Sequence, residues 1–256
     1  MTTTGAKPQG ATDEASAARA VREMFDAIAP RYDLLNHVLS MNVDRLWWWR
    51  TARRFKTVLA EPEAAVLDIC CGTGDMTMAL LKRRPRGARP TLAADFARNM
   101  LSRGAKKFGV GARKANEPYA VPIEADALHL PLRSGSLDLI VSAFGFRNLA
   151  NYEAGLMEFH RVLKPGGQLG ILEFSEPGGL VGKAYAVYFR RVLPAIGRAI
   201  CGKAGAYSYL PVSVGNFPAP AEMLALMRKA GYEQCAWQPY TFGIAGLYTA
   251  RRGAVA

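Results

Sequence analysis

Short apolar runs alternate along this chain with segments whose apolar positions recur every three or four residues. Val66–Ile69, Thr91–Ala94, Val121–Glu124, Leu137–Ala143 and Gln168–Phe174 read as buried strands bounded by Gly, Pro, Asp or Ser. Between them, Met76–Arg84, Arg98–Phe108 and Tyr152–Leu163 read as helices, the last stopped by Lys164-Pro165-Gly166-Gly167. Upstream, Arg19–Ile28 reads as an amphipathic helix ended by Pro30, and Leu46–Leu59 as a basic helix. Downstream, Leu180–Cys201 reads as a long helical stretch broken near Pro194, and Tyr207–Pro218 as a loop or short turn. Ala219–Ala230 follows as a helix stopped by Gly231, and Glu233–Tyr240 and Ile244–Arg251 as two last strands with an antiparallel step. The expected fold is α/β: a doubly wound, Rossmann-like, seven-stranded sheet, mostly parallel with an antiparallel final strand. Residues 1–18 are expected to be a disordered tail. Residues 19–256 should form one domain, with lid helices at 19–60 and a helical, aromatic insertion at 176–220.

Chemistry concentrates at the ends of these strands, where open parallel sheets bind ligands. Val66–Thr77 reads VLDICCGTGDMT: a strand carrying Asp68, a turn with Gly72 and Gly74, then a helix start. Glycines there permit positive φ and close approach of a ligand, and the helix start adds unpaired N–H groups. Asp95 ends the next strand, where an acid can accept both hydroxyls of a ribose; Asp126 opens the loop after the third, where an adenine edge would lie. Arg147 and Glu173 fall just after or at the ends of the fourth and fifth. Thr77 stands where a dinucleotide fingerprint wants its third glycine, and no GxxxxGK[ST] occurs. The cradle thus offers a ribose grip and an adenine slot but no pyrophosphate grip, which suits S-adenosylmethionine.

Composition narrows the class. The chain has 256 residues, half of them hydrophobic, and a formal net charge of +12. That charge admits nucleic acid, an anionic membrane surface or an acidic ligand, and equally a plain solvated surface. The N-terminus lacks the apolar core of a signal peptide and no apolar run is long enough to span a bilayer, so cytosol is the expected compartment. The four cysteines show neither a disulfide framework nor metal-ligand spacing, so no metal is expected. Three consecutive tryptophans, Trp47–Trp49, cannot share one helix face: one should pack inward and another meet solvent or a partner. Of the three histidines, His129 follows Asp126 and has two readings: a base near the cleft, or a helix-lead or surface residue.

The motifs VLDICCGTGD, Asp95 and ADALHLP resemble those of class I S-adenosylmethionine-dependent methyltransferases. YDLLNHVLS with a following Trp, AFGFRN, RVLKPGGQLGILEFS, YSYLPVSVGNFP and TFGIAGLY more closely resemble the ubiquinone/menaquinone biosynthesis C-methyltransferases, from about Val21 to Arg251. The resemblance implies that Asp68, Gly72, Thr73, Gly74, Asp95, Asp126 and Ala127 hold S-adenosylmethionine. It implies that Arg147 and Asn148 are catalytic and face the quinol, Arg147 helping to deprotonate it through water, with Tyr32, Asn36 and Tyr207 as candidate pocket residues. The implied substrate is a prenylated quinol: demethylmenaquinol, 2-methoxy-6-polyprenyl-1,4-benzoquinol, or both. Nucleic acid is not an expected partner. A homodimer and peripheral contact with the inner face of the cell membrane stay open. Two rivals stand beside this reading: an RNA or other small-molecule methyltransferase, and a binding protein that keeps the cradle without the chemistry.

Overall fold

The computed structural model describes residues 5–6, 8, 10–31, 40, 42–109, 115–179, 182 and 205–253. The chain enters through helix α1 (Glu14–Ile28), then α2 (Val43–Arg54) and α3 (Lys56–Ala60). The alternation follows as β1 (Val66–Ile69), α4 (Asp75–Leu81), β2 (Thr91–Asp95), α5 (Arg98–Lys107), β3 (Ala120–Glu124), β4 (Leu137–Ala143), α6 (Tyr152–Val162) and β5 (Leu163–Phe174). It closes with α7 (Gly205–Gly215), α8 (Pro220–Lys229), β6 (Tyr232–Tyr240) and β7 (Ala245–Arg252). The seven strands form one sheet in the order β3-β2-β1-β4-β5-β7-β6. Strands β1 to β5 pair in parallel, while β7 runs antiparallel to both β5 and β6, which is the sheet expected from the sequence.

Alternation along β1 sorts its side chains between two cores. Leu67 and Ile69 face a cluster built with α6 and α8, which includes Leu156, Phe159, Met223 and Met227. Val66 faces the opposite cluster, built by Trp47, Trp48 and Phe55 of α2 and its end, Leu59 of α3 and Met76 and Leu80 of α4. Asp68 shares the parity of Val66, so its carboxylate turns toward α4.

Three differences from the sequence reading have local causes. Helix α1 begins at Glu14, not Arg19, so residues 14–18 of the expected tail are helical. Asp13 caps it: its Oδ1 accepts from the Ser16 N–H at 2.7 Å, and Ser16 Oγ accepts from the Asp13 N–H at 3.0 Å. Residues 205–215 form a helix instead of a loop although Pro211 lies inside it, because Val214 and the following Phe217 are buried in the core. Strand β5 starts at Leu163, not Gln168: Leu163 pairs with Leu137, and a register shift absorbs the Pro-Gly-Gly before pairing resumes at Gln168. Leu180–Cys201 lies outside the described residues, apart from Gly182.

The entry to β1 is held by one buried guanidinium. Arg84 donates to the carbonyls of Leu59, Glu61, Pro62, Ala64 and Arg89 at 2.8–3.2 Å. Methionine there keeps the apolar stem but strands these carbonyls. Arg84→Met is expected to lower unfolding free energy by about 2–3 kcal/mol, read from urea titration. A loss under about 0.5 kcal/mol would deny the bonds any structural role.

Candidate active site

A cavity of about 540 Å³ opens at the carboxyl ends of β1, β2, β3 and β4, across the point where strand order reverses between β1 and β4. Its floor is the glycine turn. Gly72 and Gly74 have φ of +55° and +86°. A Cβ on Gly72 would meet nothing within 4 Å and would project into open space, so the missing side chain leaves room for a ligand. Gly74 does a different job: a Cβ there would lie 2.2 Å from the Phe108 ring, so it seats the turn on α5 and does not line the cavity.

Two carboxylates meet at this turn. Each Asp95 oxygen accepts one backbone N–H, Oδ1 from Ala97 and Oδ2 from Gly72, both at 2.8 Å. Asp95 therefore fixes the turn and keeps lone pairs for hydroxyls of a ligand. Asp68 is fully buried. Its Oδ2 accepts from Thr77 Oγ1 at 2.5 Å, whereas its Oδ1 has no partner among the described residues. Burial pushes Asp95 up to about 6 and Asp68 up to about 7, with the two charges also opposing each other at Asp68. Thr73 and Ala127 line the same cavity and are buried. Asp126 lines its rim, accepting from the Leu128 N–H at 2.9 Å, with half of its side chain in solvent.

The far wall comes from the segment after β4. Phe144 has φ of +58°, Gly145 packs so closely that a Cβ would lie 2.3 Å from Cys70 Cβ, and a 3-10 turn spans Phe146–Asn148. Asn148 lines the cavity at 7% exposure, and its side-chain oxygen has no partner among the described residues. Arg147 points elsewhere. Its backbone N–H and Nη1 donate to Oε1 and Oε2 of Glu173 at 3.0 and 2.9 Å, and Nη1 also donates to the Phe144 carbonyl. Both side chains of this ion pair are buried, and Tyr152 donates to the Arg147 carbonyl at 2.9 Å. The guanidinium thus ties its own loop to β5 and does not line the cavity.

Other expectations divide. Tyr32 and Asn36 lie outside the described residues; Tyr207 falls in α7, but its side chain is outside them. His129 does not line the cavity: its ring is 83% exposed, 3.4 Å from Asp126, with no access to a buried proton. Cys70 and Cys71 are free thiols whose titration burial drives well up, so they are inert neighbours of the turn. The three tryptophans separate: Trp47 is 3% exposed and bonded through Nε1 to Thr241 Oγ1 at 2.8 Å, Trp48 is 9% exposed and lines the cavity, and Trp49 is 47% exposed.

The sequence reading placed lid helices at 19–60 but named none of the α1 residues as roofing the cavity. Ala18, Arg19, Arg22 and Phe25 of α1 line the cavity above the ends of β2 and β3. Arg22 pairs with Glu124 at the end of β3 at 2.5 Å, and Asp26 accepts from the Asn99 N–H at 2.9 Å. The amphipathic pattern of α1 was the available signal, since a helix with an apolar stripe needs a surface to cover.

The donor set fits S-adenosylmethionine: Asp95 could hold the ribose hydroxyls, Ala127 and the Asp126 loop the adenine edge, and the orphaned Asp68 oxygen an ammonium. The comparisons point the same way. The protein is similar to the demethylmenaquinone methyltransferase of Deinococcus radiodurans, 43% identical over 249 residues, 97% of this chain and 98% of the relative. That of Thermus thermophilus is 44% identical over 230 residues, 90% and 100% of the two chains. The ubiquinone/menaquinone biosynthesis C-methyltransferase UbiE of Geobacter sulfurreducens is 39% identical over 241 residues, 91% and 88% of the two. Among solved structures, a SAM-dependent methyltransferase of Thermotoga maritima superposes with a TM-score of 0.59 at 17% identity, over 91% of this chain and 99% of that one. At that identity the likeness speaks for the fold. The sequence pattern of the ubiE/COQ5 methyltransferase family matches residues 12–252, from the cap of α1 to the end of β7, and to that family the chain belongs.

Proposed function

We propose that this enzyme transfers a methyl group from S-adenosylmethionine to a ring carbon of a demethylated prenyl quinol, with demethylmenaquinol as the acceptor. The Deinococcus and Thermus relatives, both above 40% identity, carry the menaquinone name alone, which favours that ring over the benzoquinol. The observation that carries the reading is the pair of orphaned acceptors in one cavity, Asp68 Oδ1 at the glycine turn and Asn148 Oδ1 on the opposite wall. A buried acceptor without a donor is costly, so each calls for a donor on a ligand. The first suits the ammonium of an amino-acid group and the second a phenolic hydroxyl.

When bound, S-adenosylmethionine supplies an electrophilic methyl. The chain supplies position and dryness. Asn148 holds a quinol hydroxyl, and Trp48, Met76 and Phe144 line an apolar approach that excludes water. As the hydroxyl proton passes to a single water admitted beside the hydroxyl, bulk solvent being kept out, electron density moves to the ring carbon that takes the methyl. That carbon then loses its own proton to restore the aromatic ring. Arg147 is proposed as a positioning residue: Glu173 neutralises its charge and it holds the Phe144–Asn148 wall in place. The substrate's tail would keep it in a bilayer, so the enzyme meets it there as a peripheral visitor. No described helix is long and apolar enough to cross a membrane.

The test is methyl transfer from labelled cofactor to a short-tailed demethylnaphthoquinol, a short-tailed benzoquinol and bulk RNA. Transfer to the naphthoquinol is expected; transfer to RNA alone would overturn the reading. Asn148→Ala is expected to lower kcat by about a hundredfold while cofactor affinity stays within twofold. Parental kcat in that variant would remove Asn148 from the chemistry.

A further inference from the structure

The outward face of α2 and the neighbouring Thr241–Gly243 turn present large apolar side chains in a basic setting. Trp49 is 47% exposed, Leu46 49% and Phe242 83%. Phe242 stands on strained backbone: Thr241 and Phe242 have φ of +45° and +58°, a left-handed region that residues with side chains rarely enter. A fold that spends strain to push a phenyl ring into water points to a use for that ring.

The elements are contiguous. The Arg50 guanidinium lies 4.2 Å over the Tyr240 ring, two residues before Phe242, and Leu46 lies one turn before Arg50 on the same face. Trp49 is flanked by the guanidinium groups of Arg53 at 5.2 Å and Arg83 at 5.7 Å. From Val43 to Ala60 the chain carries Arg45, Arg50, Arg53, Arg54 and Lys56 against a single acid, Asp44, which is buried. Aromatic rings with an apolar body, set among cations, match the headgroup layer of an anionic bilayer. The next residue along, Trp48, lines the cavity, so the helix that would rest on the lipid also walls the site.

We infer that Leu46, Trp49 and Phe242, framed by Arg50, Arg53 and Arg83, form a docking surface for an anionic lipid bilayer. The inference rests on the proposed quinol activity, because a bilayer-resident substrate gives the surface its purpose. Docked this way, the enzyme receives the ring of the substrate while the tail stays in lipid.

Flotation with phosphatidylcholine vesicles, with and without phosphatidylglycerol, tests it on the full chain. The parent is expected to float with the anionic vesicles and to release them as salt rises. Trp49→Gln combined with Phe242→Asn should lower partition about tenfold or more, asparagine being tolerant of the left-handed backbone. Arg53→Gln should lower it about fivefold. Melting temperature and turnover of a water-soluble short-tailed quinol should match the parent in all these variants. Failure of the parent to float, or undiminished flotation of the double variant, would overturn the surface. So would a dimer in sedimentation that Trp49→Gln dissociates, which would assign the face to a second copy. If the parent does not methylate the short-tailed quinol, it is the functional reading that fails, whatever the vesicles do.

Discussion

Asp68→Asn is expected to yield a cofactor-free protein that melts higher than the parent at pH 8, yet binds S-adenosylmethionine about a hundredfold more weakly. The parent holds a carboxyl whose pKa burial raises from 3.8 to about 7, so at pH 8 a buried charge opposes folding by about 4 kcal/mol. That penalty is complete above pH 7. It shrinks as pH falls through 7 toward 3.8, because the folded protein takes up a proton that the unfolded chain does not hold. Asparagine removes the charge but adds amide hydrogens to the orphaned corner, which returns about 1–2 kcal/mol. The net gain of about 2 kcal/mol corresponds to roughly 4–8 °C at this size. At pH 5 the advantage should be nearly gone. On the proposed contact between Asp68 and the cofactor's ammonium, affinity moves the other way, because the charge that the ammonium would meet is removed. Parental affinity should fall as pH drops below 7, while the variant stays flat. Calorimetry and thermal scans at pH 5 and pH 8 decide it: a variant destabilised at pH 8, or one with parental affinity, would sink the role given to Asp68.

Arg147→Ala should cost about 3–5 kcal/mol of stability, because it leaves Glu173 charged in the core with no counter-ion. Loss of turnover in this variant therefore says little alone. Adding Glu173→Gln removes the stranded charge and should recover at least half of the lost stability, a coupling of about 2 kcal/mol or more in a double-mutant cycle read by urea unfolding. The kinetics carry the distinction. If Arg147 only holds the Phe144–Asn148 wall, kcat should climb back with stability in the double variant. A double variant that folds like the parent but stays inactive would make the guanidinium a direct participant. Additive stabilities would break the pairing itself.

Much of this arrangement is written locally and was readable. A strand, two glycines and a helix start occupy twelve residues, Val66–Thr77, and Asp95 falls on the next strand end by spacing alone. What was not readable depends on partners far along the chain. Glu173 holds the guanidinium of Arg147 from 26 residues away, so a side chain expected to face the substrate is turned to β5. Asp126 lies near the cleft as the spacing suggested, but His129 beside it swings outward, and sequence distance carries no such direction. The helix containing Pro211 ran against local propensity and formed because Val214 and Phe217 found a core. The exposure of Phe242 needed two consecutive left-handed residues, which Thr241-Phe242 does not advertise.

The three tryptophans of α2 set a rule about chain length. Successive residues on a helix turn by about 100°, and here that rotation sends one ring to the core, one to the cavity and one to solvent. A single residue inserted before Trp47 would carry Trp47 into the place of Trp48, Trp48 out to that of Trp49 and Trp49 round to that of Arg50, pulling Trp47 out of its bond to Thr241. Substitutions on the outer face leave this arrangement standing, whereas an insertion or deletion between Asn42 and Trp47 undoes all three placements at once. In the divergence of this protein, the spacing of that segment should therefore be held more tightly than its letters.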